Sequence, residues 1–224
     1  VDPLGRKRYL ANLMALDDSV GRILRSLDET GQRDNTVVVF MSDNGGTINT
    51  YANNAPLTGY KYMFGEGGVR IPIILSWPGR VEEGETRSEL VSAMDVFPAV
   101  VELAGGTAPE NLDGRSLVKN PGHEFLCFTD GKQTWSIRQG DWKLISSPGW
   151  VHTNYRLDDQ NIAQPAEEFV YPKGLALFNL KDDIGETTNL ASTNTERVKS
   201  MAKLYDDWRA QMGEPVRGNA KKPK

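Results

Sequence analysis

The hydrophobic pattern of the first hundred residues consists of one long amphipathic stretch and several short apolar runs. Apolar residues recur at helical spacing between Leu13 and Leu27, and Gly31 follows, which predicts a helix ending there. The runs at residues 37–41 and 71–76 are short, continuous and rich in β-branched residues. Such runs are typical of strands buried on both faces of a parallel sheet.

A shorter helix is predicted after these strands. Asp95 is expected to be its N-cap, and Gly105-Gly106 to end it. Helices flanking apolar strands predict an α/β fold with a mostly parallel sheet over residues 1–120. We expect a subdomain boundary near Asn120-Pro121-Gly122.

Residues 121–224 have a different pattern. Short apolar runs separated by turns predict a small antiparallel sheet, with Gly140-Asp141 at the turn of a hairpin. The strand candidates are residues 125–128, 135–138, 142–145 and 175–180. Residues 146–172 are expected to form a long loop. This half is therefore predicted to be a C-terminal α+β subdomain.

The chain is predicted to end in a helix followed by a polar tail. Thr193 and Glu196 have the spacing of a capping box. An apolar stripe follows at helical spacing and is expected to pack on the small sheet; its members are Val198, Met201, Tyr205, Trp208 and Met212.

Composition excludes several classes of protein. The 224 residues carry a net charge of −4 and are 38% hydrophobic, with a pI of about 5.3. Nothing in this balance indicates a nucleic-acid partner, and no apolar run is long enough to span a membrane. Cys127 is the single cysteine, so no internal disulfide is possible.

Candidate chemistry begins directly after the first apolar run. Asp43-Asn44-Gly45-Gly46 places a carboxylate and an amide where ligands bind in open α/β sheets, beyond the carboxyl end of a strand. Calcium and magnesium prefer such oxygen ligands. The same residues are also common in plain turns, so this motif alone leaves both explanations open.

A second glycine-rich segment carries charge. Lys61 follows Gly59-Tyr60, where an ammonium group could lie near an anion, although a solvated surface lysine would have the same sequence. Glu66 and Arg70 enclose Gly67-Gly68 and could close this loop with an ion pair, which is an architectural role.

Together, these segments resemble the second half of a type I, formylglycine-dependent sulfatase of the alkaline phosphatase superfamily. The resemblance rests on an ordered series of blocks: residues 40–46, 56–61, 66–72 and Trp77-Pro78-Gly79, followed by residues 137–144 and 177–190. The order of several blocks is far more specific than any one of them.

The resemblance implies site residues and a cofactor. By likeness to the family, Asp43 and Asn44 would ligate an active-site Ca²⁺, and Lys61 would contact the sulfate as both a catalytic and a substrate-binding residue. Family members often have Arg where this chain has Thr58, so a substrate contact at that position is in doubt.

The implied function is hydrolysis of a sulfate ester, with a sulfated glycan or an aryl sulfate as substrate. The formylglycine nucleophile and further metal ligands of the family have no counterpart in residues 1–224. The chain would therefore be inactive alone and would need the N-terminal half of the same enzyme. Family habit implies a periplasmic, secreted or lysosomal location.

Two alternatives stay open. A phosphoester or phosphonate hydrolase of the same superfamily would have similar metal residues. A non-catalytic binding protein derived from a sulfatase is the other alternative, although the retention of Asp43, Asn44 and Lys61 argues against it.

The remaining polar candidates are interpreted as structural. Cys127 lies in an apolar run, lacks the family's x-Pro-x-Arg context for formylglycine, and is expected to be an inert thiol. His123 and His152 have no zinc-ligand spacing. Asp17-Asp18 on the first helix is interpreted as a solvated pair, because neighbouring helical side chains diverge by about 100°.

Two groups of loop residues could contact substrate. Asn49, Asn53 and Asn54 lie in the polar segment after the metal motif, although loops favour asparagine in any case. Trp150 and Tyr155, in the predicted loop, could stack on a sugar ring or simply pack on each other.

Overall fold

The structure is a computed structural model that describes residues 3–47, 51–118, 122–131, 133–157, 163–171 and 173–213. Four α-helices and eight strands lie in these ranges. They are α1 (Pro3–Glu29), β1 (Val38–Met41), α2 (Glu66–Val69), β2 (Ile73–Ser76), α3 (Val96–Leu103), β3 (Phe125–Thr129), β4 (Trp135–Gln139), β5 (Trp142–Ser147), β6 (Trp150–Leu157), β7 (Ala163–Tyr171), β8 (Gly174–Asn179) and α4 (Thr195–Gln211). This order confirms the predicted α/β class with a small antiparallel sheet and a final helix.

The first sheet pairs β1 with β2. The strands run antiparallel, from Val38 opposite Ser76 to Met41 opposite Ile73, whereas the apolar runs were expected to belong to a parallel sheet. The connection explains the direction, because it leaves β1 and enters β2 at the same end and contains only the single turn of α2. A parallel pair needs a crossover, which is usually a longer helix.

The pattern predicted strands that are buried on both faces, but neither strand of this sheet is buried in this way. All four residues of β1 are half-buried, and 56% of Ile74 in β2 is exposed. The apolar face of α1 lies beside the sheet across a cavity of about 480 Å³, lined by Leu13, Leu16 and Phe40 among others. The two apolar runs therefore predicted strand formation correctly, but among the described residues these strands are only partly buried.

Asp95 is the N-cap of α3, as predicted, although its side chain makes no cap hydrogen bond to this helix. A 3-10 turn (Ala93–Asp95) precedes the helix; Ser92 is the N-cap of that turn and forms a capping box with Asp95. The fully buried Asp95 carboxylate accepts hydrogen bonds from the backbone N–H groups of Ser92 and Arg115, each at 2.7 Å. Gly105, at φ +81°, follows the helix as expected.

The second sheet has the strand order β3-β4-β5-β8, all antiparallel, and confirms the predicted small sheet. The predicted hairpin at Gly140-Asp141 joins β4 to β5. Helix α4 packs its apolar stripe on this sheet, where Met201 and Tyr205 meet Ile137, Leu144 and Leu177 in a buried cluster. Trp135 of β4 stacks on Tyr205 with ring centroids 4.1 Å apart.

Two local predictions for this half are wrong. Residues 146–172 contain a hairpin of β6 and β7 instead of an irregular loop; its polar composition concealed two paired strands. The capping box before α4 is also absent. Asn194 is the N-cap and makes no side-chain cap bond, while the Thr193 hydroxyl donates to Leu190 O.

Two remaining expectations concern the whole chain. No helix within the described ranges combines the length and hydropathy needed to cross a bilayer. The boundary near residues 120–122 remains a prediction, since residues 119–121 lie outside the described ranges.

Candidate functional site

The predicted metal-binding segment leaves β1 and is held by neighbouring backbone. Ser42 N donates to Pro72 O at 3.3 Å, and Gly45 N donates to Gly68 O at 3.0 Å. A side chain at Gly45 would overlap the carbonyl oxygen of Gly67. Glycine is therefore required at position 45 because another backbone segment occupies the space of a Cβ.

The candidate metal ligands on this segment are Asp43 and Asn44. Asp43 is exposed and Asn44 is half-buried. Both line a cavity of about 480 Å³, together with Arg70 and Arg138. No hydrogen bond or ion pair from another described residue occupies their side-chain oxygens. One carboxylate and one amide are thus available to a ligand in this cavity.

The segment that carries Lys61 lies directly against the Asp43-Asn44 segment. Lys61 N donates to Gly46 O at 3.1 Å. The Asn54 side chain joins the two segments, because its Nδ2 donates to Gly46 O and Gly59 O at 3.0 Å each. Its Oδ1 accepts from Gly46 N at 3.1 Å. The structure therefore brings together the backbones of two segments that the sequence singled out separately.

These bonds give Asn54 a structural role, which agrees with the simpler of the two explanations that the sequence left open. Asn53 likewise bonds locally, accepting from Ala55 N at 2.9 Å. Asn49 lies outside the described residues. The ammonium group of Lys61 lies 5.5 Å from the centre of the Tyr62 ring, and Tyr62 itself is 84% exposed. Lys61 thus keeps a partly exposed charge at the surface of the segment.

The Glu66-Gly67-Gly68 segment packs against the segment that carries Lys61. Neither glycine has room for a side chain. Gly67 N donates to Thr58 O at 2.7 Å. A Cβ at Gly67 would overlap Gly59 O, and one at Gly68 would overlap Met63 O. The paired glycines let α2 approach the Lys61 segment closely enough for backbone hydrogen bonds.

Thr58 belongs to the same packing. The residue is buried, and its hydroxyl donates to Gly185 O at 2.5 Å. The hydroxyl of Thr58 therefore joins the Lys61 segment to the turn after β8.

Glu66 is the centre of a buried group of charges. The predicted ion pair with Arg70 is present, at 3.4 Å between Arg70 Nη1 and Glu66 Oε2. Lys143 of β5 is closer, with its Nζ 2.8 Å from Glu66 Oε1, and Arg138 Nη1 lies 3.1 Å from Oε2. Burial alone raises the pKa of the Glu66 carboxyl, but the charges of Lys143, Arg138 and Arg70 outweigh it and leave the pKa below its ordinary value.

Glu186 completes this group from the turn after β8. Its Oε2 accepts from Glu66 N at 2.7 Å and from the Tyr171 hydroxyl at 3.1 Å. Its Oε1 lies 3.1 Å from Lys143 Nζ, at an angle that makes no hydrogen bond. Burial raises the pKa of Glu186, and Lys143 offsets only part of the effect.

Sequence reasoning missed Lys143, Glu186 and Tyr171 as members of this group. One signal was present, because Lys143 stands between apolar residues in a predicted strand, where a charged side chain requires a buried partner. The partner Glu66 is 77 residues away in sequence, so no local pattern could identify it.

The surroundings of Cys127, His123 and the Asp17-Asp18 pair agree with the structural interpretation of these residues. Burial raises the pKa of the Cys127 thiol to about 12, as expected for an unreactive cysteine. His123 pairs with Asp95, 2.8 Å from Nε2 to Oδ1, and Asp17 and Asp18 are both exposed.

Other expectations fall outside what the structure describes. The side chains of His152, Trp150 and Tyr155 are among those not described. The described residues contain no group of three or more His, Cys, Asp or Glu side chains that could hold a metal ion. Asp43 and Asn44 fit a hard cation by chemistry, but they supply only two of the roughly six to eight oxygen ligands that calcium takes.

Comparison with known proteins identifies the family. The Sulfatase model matches residues 5–106, and a model described as N-sulphoglucosamine sulphohydrolase, C-terminal, matches residues 59–161. Together they extend over the Asp43, Lys61 and Glu66 segments and most of the small sheet. The chain belongs to the sulfatase family.

Individual relatives agree with this assignment. A sulfatase of Formosa agariphila is 31% identical over 199 residues, which cover 83% of this chain and 35% of the relative. Mouse steryl-sulfatase is 37% identical over 224 residues, covering 88% of this chain and 36% of the relative. The chain thus spans little more than a third of the length of these two proteins.

Solved structures confirm the fold. The crystal structure of Ps i-CgsB in complex with k-i-k-neocarrahexaose matches with a TM-score of 0.77 and 30% sequence identity. The match covers 96% of this chain and 46% of that protein. Nearly the whole architecture described above is therefore shared with a known sulfatase-like structure.

Proposed function

We propose that this chain is part of a sulfuric ester hydrolase and contributes a share of its metal and sulfate site. The observation that carries the proposal is the convergence of two segments. The hydrogen bond from Lys61 N to Gly46 O joins the lysine segment to the Asp43-Asn44 segment, whose oxygens line an adjacent cavity. Membership of the sulfatase family supplies the reaction class.

Each residue has a distinct role in this proposal. Asp43 and Asn44 would hold a calcium ion through one charged and one neutral oxygen. When bound, the ion would supply positive charge that withdraws electron density from the sulfate oxygens. Lys61 places its ammonium near the same oxygens and stabilises the negative charge that develops as the ester bond breaks.

The nucleophile comes from outside residues 1–224 in this proposal. The family's nucleophile is a formylglycine made from Cys or Ser followed by x-Pro-x-Arg, and Cys127 is followed instead by Phe128-Thr129-Asp130. The raised pKa of Cys127, about 12, also argues against its use as a nucleophile. The remaining portion of the enzyme would supply this group and the other metal ligands.

The β1–β2 sheet is the surface on which we expect that remaining portion to pack. Its strands are half-exposed, and Ile74 is 56% exposed although it is apolar. Burying such surface is favourable by about 25 cal/mol per Å². The relatives are long enough to supply the missing layer, since this chain covers only 35% to 36% of the two described above.

The substrate class is a sulfated glycan or an aryl sulfate. The similarity to Ps i-CgsB, solved with a neocarrahexaose, favours a sugar chain, whereas the similarity to steryl-sulfatase favours a ring alcohol. Following family habit, we place the enzyme in a periplasmic, secreted or lysosomal compartment.

The test uses Asp43→Ala in the enzyme that carries this chain, assayed with 4-nitrophenyl sulfate over a calcium titration. We expect turnover to fall at least about a hundredfold and half-saturation to move to higher calcium. Asp17→Ala, which removes an exposed carboxylate on α1, is the matched control and should change neither.

Two results would contradict the proposal. Unchanged calcium dependence and turnover in Asp43→Ala would show that the metal assignment is wrong. Faster hydrolysis of 4-nitrophenyl phosphate than of the sulfate by the wild-type enzyme would move the reaction to phosphoester chemistry.

A further inference from the structure

Three charged side chains are buried where the two halves of the chain meet. Glu66, Lys143 and Glu186 are each at most 1% exposed. Lys143 Nζ lies between the two carboxylates, 2.8 Å from Glu66 Oε1 and 3.1 Å from Glu186 Oε1. We call these three residues the buried charge cluster.

A cluster of this kind is poorly explained by stability alone. Removing charges from water is costly, and well-packed apolar residues often replace a buried ion pair with no loss of stability. What charges provide in addition is a defined geometry, because each hydrogen bond fixes the position and orientation of its partner. The groups that are hydrogen-bonded to this cluster are therefore the part of the molecule that it orients.

Glu186 connects the buried charge cluster to the backbone of α2. Its Oε2 accepts from Glu66 N at 2.7 Å, so a side chain after β8 fixes the first residue of α2. Glu186 itself has φ +55°, which residues other than glycine rarely adopt. Such a conformation persists where the surrounding contacts hold the residue firmly, and here the Tyr171 hydroxyl bonds the same oxygen at 3.1 Å.

The contacts continue from α2 to the proposed site. Gly67 N donates to Thr58 O at 2.7 Å, and Gly45 N donates to Gly68 O at 3.0 Å. The first bond fixes the start of the Lys61 segment, and the second fixes the segment that carries Asp43. Both site segments are therefore bonded to the residues that directly follow Glu66.

A second contact ties the Lys61 segment to the same turn. The Thr58 hydroxyl donates to Gly185 O at 2.5 Å, next to Glu186. The turn at Gly185 and Glu186 thus accepts two hydrogen bonds from the glycine-rich segments of the other half, one from the Thr58 hydroxyl and one from Glu66 N.

We propose that Lys143 and Glu186 are positioning residues, which set the placement of Lys61 and Asp43 through Glu66 and the glycines of α2. The identity of the site being positioned rests on the proposed function. The small antiparallel sheet then acts as the support of the site, although neither Lys143 nor Glu186 contacts Lys61 or substrate.

The test compares three variants of the enzyme that carries this chain. Glu186→Ala removes the acceptor for Glu66 N, whereas Glu186→Gln keeps a neutral acceptor of the same length. Asp95→Asn is the matched control, since it removes the charge of another buried pair, Asp95 with His123, which has no bond to the site segments. The readouts are amide hydrogen exchange at Gly45, Lys61 and Gly67, and kcat and KM for an aryl sulfate.

We expect exchange at these three amides to be about tenfold faster in Glu186→Ala than in Asp95→Asn, with Glu186→Gln close to the wild type. We also expect kcat to fall about 10- to 100-fold in Glu186→Ala, because small displacements of charged groups reduce turnover steeply. Glu186→Gln should restore most of this loss.

Equal exchange at the three amides in Glu186→Ala and Asp95→Asn would overturn the inference, whatever the activity. If Glu186→Ala does not fold, Thr58→Val replaces it, because it breaks the second tie to the same turn; unchanged exchange there would have the same meaning. Faster exchange in an enzyme whose wild type hydrolyses no sulfate ester would support the positioning role and reject the proposed function instead.

Discussion

Lys61 is held by its backbone and leaves its side chain partly exposed. The bond from its N–H to Gly46 O fixes the position of the residue, while its ammonium group lies over the face of the Tyr62 ring. Asp43, Asn44 and Lys61 became candidates because their glycine-containing segments belong to an ordered series of blocks, whereas each motif alone was also compatible with a turn or a surface lysine.

Lys61→Ala tests the role of that side chain. In the enzyme that carries this chain, we expect kcat/KM for an aryl sulfate to fall about 10²- to 10³-fold, the usual loss when one charge-stabilising group is removed from an active site. The midpoint of urea unfolding should not move, since Lys61 is half-buried and forms no ion pair with any other residue that the structure describes. Lys181→Ala, at an exposed position, is the control; an equal loss in both variants would count against a specific role.

At the scale of elements, helix α4 and the small sheet were predictable because their apolar positions recur at regular spacing. The predictions that failed here concern ends and connections. The Thr193 and Glu196 spacing suggested a capping box, but the helix begins after Asn194. The polar segment of residues 146–172 contains β6 and β7, whose pairing with each other has no simple apolar alternation to announce it.

The packing of α4 can be tested with two methionines of the same stripe. Met201 is fully buried against Ile137 and Leu144, whereas Met212 follows the helix and is 38% exposed. We expect Met201→Ala to lower the free energy of unfolding by about 2–5 kcal/mol, because it leaves a cavity in the core. Met212→Ala should cost less than about 0.5 kcal/mol. Urea unfolding of both variants distinguishes the positions, and similar losses would contradict the observed packing.

The two acids of the buried charge cluster, Glu66 and Glu186, contribute to the stability of the fold with opposite dependence on pH. The raised pKa of Glu186 means that its contribution to stability is fully present below its ordinary value of 4.5 and is lost as the pH rises through the folded-state value. The lowered pKa of Glu66 means that its contribution is present above 4.5 and is lost as the pH falls through the folded-state value.

Two substitutions separate these contributions. As the pH rises from 4.5 through the folded-state pKa of Glu186, Glu186→Gln should gain stability relative to the wild type, because glutamine never ionises. Glu66→Gln should lose stability relative to the wild type as the pH rises from below its folded-state pKa to above 4.5. Urea unfolding at several pH values measures both slopes, and slopes of the same sign would be incompatible with this arrangement of charges.

At the scale of the whole molecule, the chain is shorter than the proteins that it resembles. It spans 35% to 46% of the length of the relatives and the solved structure described above. Its first sheet is half-exposed, and the candidate site has two oxygen ligands. These features agree with a site that other segments complete.

The corresponding prediction concerns the isolated chain. We expect residues 1–224 alone to hydrolyse no aryl sulfate above the buffer rate at any calcium concentration, because the two proposed ligands and Lys61 provide no nucleophile. The longer enzyme, assayed in parallel, is the control. Measurable turnover by the isolated chain, abolished by Lys61→Ala, would show that the nucleophile lies within it.

The sequence by itself determined the helices, most of the strands, the glycine-rich segments and the candidates Asp43, Asn44 and Lys61. These features depend on spacing within about one element, so they can be read along the chain. Only the tertiary structure decided the direction of β2 against β1 and the partners of Glu66, since Lys143 and Glu186 reach it across 77 and 120 residues. Burial in a shared interior, rather than any local pattern, brings those charges together.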